Sequence, residues 1–127
     1  MDRFFLTLSA VSGFVSVALG AFAAHGLKSR LEEDLLKVFH TGVEYQFYHT
    51  FALALVGLLF ASQKEMSGLK LSGFAFLFGI VVFSGSLYAL ALTRVRTWGA
   101  VTPLGGLGFL VGWAALAYSI YKQFARG

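Results

Sequence analysis

The chain contains no cysteine, a single proline and little charge. The missing cysteines exclude a disulfide framework, a thiolate metal site and a cysteine nucleophile. Charged residues make up 13% of the 127, where a soluble domain of this size carries about 25%. That shortfall excludes a small soluble enzyme, a disordered tail and a DNA-binding module, and it points to a bilayer as the solvent. Ten Lys and Arg against six Asp and Glu leave a net charge of +4. The bases are scattered near the ends of apolar runs. Nucleic-acid binding needs a clustered basic face, so no nucleic-acid partner is expected, and the lipid bilayer with its anionic headgroups is the fitting one.

Hydrophobic residues, by contrast, make up 57% of the chain and aromatics 17%, with 15 glycines. The length suits one domain. The apolar residues gather into four runs, 4–24, 41–61, 71–93 and 103–121, and only the second is interrupted, by Glu44, Gln46 and His49. Crossing the hydrocarbon core takes roughly 20 helical residues. Barrel strands would be ~10 residues long and strictly alternating. These runs are apolar all round, and in lipid a helix satisfies its own backbone. The expected fold class is all-α: a transmembrane four-helix bundle forming a single integral-membrane domain over residues 1–127.

The connections carry further signals. Ala21-Phe22-Ala23 resembles a signal-peptide cleavage site, but the apolar run before it is too long for a signal core and its basic flank is only Arg3 beside Asp2. Span one is therefore read as retained. Leu31, Leu35, Leu36 and Val38 fall on one face behind a Ser29–Glu32 capping box, which predicts a short interfacial amphipathic helix between spans 1 and 2, with continuity into span two as the alternative. Residues 62–70 read as a short polar turn. Trp98 suits the headgroup level, and Thr102-Pro103 reads as a hydroxyl cap followed by proline at the first helical position. Four spans put both termini on one side. Arg3, Lys64, Lys70, Lys122 and Arg126 then oppose Lys28, Arg30, Lys37, Arg94 and Arg96. Five against five leaves the positive-inside rule undecided; the expectation is that both termini face the cytoplasm.

Small residues mark packing seams. Ser12, Ser16, Gly20 and Ala24 recur every fourth residue in span one, Gly108 and Gly112 form a GxxxG pair in span four, and Gly85 with Ala89 lies in span three. Lipid gives little hydrophobic drive between helices, so close backbone approach matters more. These seams are read as packing within one chain, with a dimer interface as the alternative.

Ionisable groups inside a span are costly and need an explanation. At ~100° per residue, His40 and Glu44 share one face of span two while Tyr45, Gln46 and His49 share another. Glu44 lies near enough to the surface to pair with His40 or Lys37. His25, His40 and Glu44 are metal-ligand types without tight spacing, so no metal is expected. His49 reads as a neutral histidine bonded to span three, where Ser84, Ser86 and Tyr88 offer partners; a polar relay is the competing reading. The candidate intramembrane polar cluster is therefore His25, Glu44, Tyr45, Gln46, His49, Ser84, Ser86 and Tyr88. No nucleophile–base–orienter set is present, and Gly105-Gly106 lacks the lysine and strand of a phosphate loop. Neither enzymatic activity nor a cofactor is expected.

Four segments carry a family resemblance. Gly20 to Leu27 resembles a "GAFGAHGL" signature, with alanine in place of one family glycine. Thr41-Gly42-Val43-Glu44-Tyr45-Gln46 with His49 resembles "TGxxYQxxH". Phe83 to Tyr88 with Leu90-Ala91-Leu92 resembles "FSGSLYxLAL", and Thr102 to Gly106 with Phe109-Leu110 and Gly112-Trp113 resembles "TPxGGxxFLxGW". The four blocks, in order over almost the whole chain, resemble the DUF423 family of small bacterial inner-membrane proteins. The resemblance implies a multi-pass membrane protein and carries over no catalytic residues.

Two functions compete at this point. One is a structural or accessory membrane protein that associates with other membrane proteins or with lipid, in a larger complex or as a homo-oligomer. The other is a small oligomeric transporter or channel for protons, ions or a small solute, with a pathway lined by His25, Gln46, His49 and Tyr88.

Overall fold

The computed structural model describes residues 1–62 and 66–126; residues 63–65 of the expected 62–70 turn, Lys64 among them, lie outside these. Among the described residues five α-helices build four spans. α1 (Asp2–Phe22) continues through a π-type turn, Ala23–Leu27, and α2 (Glu33–Ser62) is the longest element. α3 (Leu69–Gly79) and α4 (Gly85–Thr93) form one span through a π-type segment, Ile80–Ser84. A 3-10 turn, Arg96–Ala100, leads into α5 (Thr102–Ala125). Each of the four spans is long and apolar enough to cross a membrane.

The neighbours are set by where glycine lets backbones close. α1 lies along α2: Ser16 is fully buried, and a Cβ on Gly20 would touch Val43 at 3.6 Å. The expected stripe therefore holds for Ser12, Ser16 and Gly20, but Ala24 is exposed. α5 lies along α3. A Cβ on Gly108 would come within 2.6 Å of Phe78, and one on Gly112 within 2.6 Å of Phe76, while Ser72 Oγ donates to the Gly112 carbonyl at 2.8 Å. Gly85 is no seam, because nothing lies within 4 Å of its missing Cβ. The close approach to this span comes from Gly105 of the following span, whose Cβ would collide with the Phe83 backbone. The core has two parts. Phe5, Leu53, Val56, Phe76, Phe109 and Leu116 fill one end; Ala23, Leu27, Phe39, Val43 and Ala91 fill the other.

Of the two readings of the amphipathic segment after span one, the structure shows the continuous one and no separate interfacial helix. The segment forms the first turns of α2, which starts at Glu33 and not at a Ser29–Glu32 box; the Leu36 amide donates to the Glu32 carbonyl at 2.9 Å. The reason is that its apolar face finds protein rather than lipid: Leu35 and Phe39 are buried, Phe39 among Leu27 and Ala91. The Thr102 hydroxyl does not cap α5 either. It meets Ser86 Oγ at 2.6 Å, while Pro103 keeps its place in the first turn.

Both ends are tied. At one end Arg94, itself in a left-handed conformation (φ 61°), ends α4 and reaches Glu32 Oε2 at 3.4 Å and the Arg30 carbonyl at 3.2 Å. Arg96 reaches Asp34 at 3.2 Å beside it. At the other end Ser119 Oγ donates to the Ser67 carbonyl at 2.6 Å. Gly68, with φ 94°, starts α3 there; any side chain would be strained and would meet that hydroxyl.

Candidate functional site

The eight predicted polar residues do not form one cluster. They divide among several hydrogen-bonded sets, with two of them left outside.

One set joins α1, α2 and α4. Tyr88 donates its hydroxyl to Gln46 Oε1 at 2.6 Å. The Gln46 amide nitrogen donates at 3.2 Å to both the carbonyl and the hydroxyl of Ser12, and that hydroxyl meets Thr50 Oγ1 at 2.6 Å. The sequence singled out Ser12 only as a packing residue and passed over Thr50. Ser12 lies on another span and carries no local signal, whereas Thr50, four residues after Gln46 on α2, could have been found from that spacing. Close by, Ser84 Oγ donates to the Gly42 carbonyl at 2.7 Å. The π-type segment that ends at Ser84 seats this hydroxyl against α2. Ser86 turns the other way, to the Phe83 carbonyl at 2.9 Å and to Thr102.

His49 is bound to α5, not to the span of Ser84, Ser86 and Tyr88. Its Nδ1 lies 2.7 Å from the Tyr45 carbonyl, and Trp113 Nε1 lies 3.0 Å from its Nε2. A carbonyl only accepts and an indole N–H only donates. The proton must therefore sit on Nδ1, with Nε2 accepting: a neutral ring with both nitrogens satisfied. Phe109 stacks on it with centroids 3.4 Å apart and planes 9° from parallel. The available signal was Trp113 itself, because an indole N–H inside an apolar span needs an acceptor.

A groove of about 620 Å³ lies beside this ring, lined by Tyr45, His49, Phe83, Leu107, Phe109 and Trp113 among others. It exists because α5 packs against α3 and the π-type segment, leaving Trp113 to bridge to α2. Its rim is formed by exposed Leu104, Leu107 and Leu110, so it opens sideways towards lipid.

His25, His40 and Glu44 stay outside these sets, each exposed. Among the described residues no three His, Cys, Asp or Glu side chains are placed to hold one metal ion. Glu44 pairs with neither Lys37 nor His40; Lys37 lies 3.9 Å from Glu33 instead. Among the described residues every buried side-chain nitrogen and oxygen has a hydrogen-bond partner.

Comparison with known proteins agrees with the resemblance read from the motifs. The family described as "Protein of unknown function (DUF423)" matches residues 19–106. The chain is 48% identical over 125 residues to a UPF0382 membrane protein of Haemophilus influenzae, covering 97% of this chain and 98% of that protein. It is 48% identical over 127 residues to the UPF0382 inner membrane protein YgdD of Escherichia coli K12, covering 99% and 95%. To the UPF0382 membrane protein YwdK of Bacillus subtilis it is 38% identical over 120 residues, covering 94% and 98%. No solved structure matches the chain.

Proposed function

We propose that this chain, a small multi-pass membrane protein that belongs to the DUF423 family, is a non-catalytic structural or accessory component of the bacterial inner membrane. In this reading it associates with other membrane proteins or with lipid, and both of its termini face the cytoplasm. The observation that carries the reading is the state of the buried polar groups. All of those described have partners inside the bundle. They serve as rivets between helices: Gln46 to Ser12 and Tyr88, Ser84 to Gly42, His49 to Trp113. A relay needs groups that can exchange partners along a path. Here Gln46 is held between Tyr88 and Ser12, both ring nitrogens of His49 are taken by Tyr45 and Trp113, and the groove beside it is apolar and turned to lipid. His25, the outer member of the alternative pathway, is exposed near the end of span one.

The test is flux. The purified protein is reconstituted into liposomes and proton and monovalent-ion leak is followed with internal dyes. The expected leak equals that of empty vesicles and is unchanged by His49→Ala. A leak well above empty vesicles that His49→Ala abolishes would overturn the accessory reading in favour of a conducting protein.

A further inference from the structure

The outward face of α2 carries an acid without a partner. Glu44 is exposed and makes no ion pair or hydrogen bond among the described residues. Its neighbour Val43 packs at the level of Gly20. That level is four residues inside the charge-free run of span one, about 6 Å at 1.5 Å per residue. A carboxylate at such a depth is costly unless a base or donor meets it. The same face supplies one: His40, exposed one turn nearer the surface. Within this chain the two are not bonded to each other.

The face also has a repeat. Lys37, Thr41, Glu44, Tyr48, Phe51, Leu55 and Leu58 follow one another at alternating intervals of four and three residues. That is the seam spacing of helices that supercoil about one another. Within it Tyr48 is 54% exposed, Phe51 68% and Leu58 58%. Two parallel copies of the seam place equal depths side by side. Helical side chains lean towards the helix N-terminus, which here is the membrane-surface end of α2. Both side chains lean the same way, so each Glu44 stays one turn, about 6 Å at 1.5 Å per residue, below the opposite His40; the pair forms by the carboxylate extending up and the ring down, and a two-fold axis makes it twice.

We propose that the α2 face is a homodimer interface, in which Glu44 of one protomer accepts a hydrogen bond from His40 of its partner across a seam running down to Leu58. The occupant is a second copy because acid and donor lie on the same face of α2, the acid on the seam and the donor beside it, so each copy offers the donor that the other copy's acid needs. The inference goes beyond the accessory reading and does not depend on it.

The absence of cysteine makes the test direct. Single cysteines are placed at Phe51 or Leu58 on the seam, Phe14 on the outer face of α1, or Leu110 on α5. Each protein is reconstituted in phosphatidylethanolamine–phosphatidylglycerol vesicles and oxidised. Cross-linked dimer is expected at Phe51→Cys and Leu58→Cys and not at the other two. Adding Glu44→Lys to Phe51→Cys should cut the cross-linked fraction about tenfold, and adding His40→Glu to that variant should restore it. Three results overturn the proposal: no cross-link at either seam position, cross-links at Phe14→Cys or Leu110→Cys in their place, or a cross-linked fraction indifferent to Glu44→Lys. The flux measurement is untouched by any of them.

Discussion

A methyl group added at Gly105 has nowhere to go, because the Phe83 backbone already occupies the space. At Gly85 the same methyl meets open space. Gly105→Ala should therefore destabilise the protein by about 1–3 kcal/mol through overpacking. Gly85→Ala should be neutral or stabilising by up to about 1 kcal/mol, the difference in helix propensity. Unfolding in mixed detergent–SDS micelles reads both; equal effects at the two positions would contradict the packing. A second contrast concerns Trp113. Trp113→Phe keeps a ring against Phe76, whose centroid lies 5.0 Å away, but removes the donor to His49 and leaves Nε2 unsatisfied. The expected cost is about 1–3 kcal/mol. His49→Leu followed by the same change should cost less than the sum of the two, with a coupling of roughly 1 kcal/mol. Strict additivity would mean that the Trp113–His49 bond contributes nothing to stability.

At the scale of elements, the four spans were legible because charge is nearly absent from runs long enough to cross the bilayer, and the backbone has no other way to satisfy itself there. The ends of the elements were less legible. Leu35, Leu36 and Val38 mark an apolar face, but a sequence does not say whether lipid or protein covers it. Here protein does, so the amphipathic stretch runs straight into α2. This gives a measurable difference. Phe39 is fully buried, and Phe39→Ala should cost about 3–5 kcal/mol, as for a core phenylalanine. A loss well under 1 kcal/mol would place that ring against lipid. The polar sites divide in the same way. Periodicity put Tyr45, Gln46 and His49 on one face, yet Gln46 bonds towards α1 and α4 while His49 bonds towards α5. Which neighbour each one meets depends on where α5 packs, and that is settled by the contacts of Gly105, Gly108 and Gly112 with span three, not by anything in span two.

For the whole molecule, the two tied ends fix the relation of the termini. Phe5 meets Phe60 and Phe74, and Ser119 meets Ser67, so the N-terminal end of α1 and the C-terminal end of α5 lie at the end opposite Arg94 and Arg96. Which membrane side that end faces is then a question of charge. Counted along the sequence, with Lys64 lying outside the described residues, five basic residues fall to each side, and the bias that sets orientation depends on lysines and arginines near the span ends. A tie makes orientation sensitive to small changes. With cytoplasmic termini, a C-terminal green fluorescent protein should fluoresce and a C-terminal alkaline phosphatase should be inactive. Lys122→Gln with Arg126→Gln removes two bases from the terminal side, leaving three against five. Fluorescence should fall and phosphatase activity rise in proportion as molecules insert the other way. If both reporters hold their wild-type values, the tally of bases does not orient this protein, and the asymmetry must come from the acids Glu32, Glu33 and Asp34 or from the order in which the spans insert.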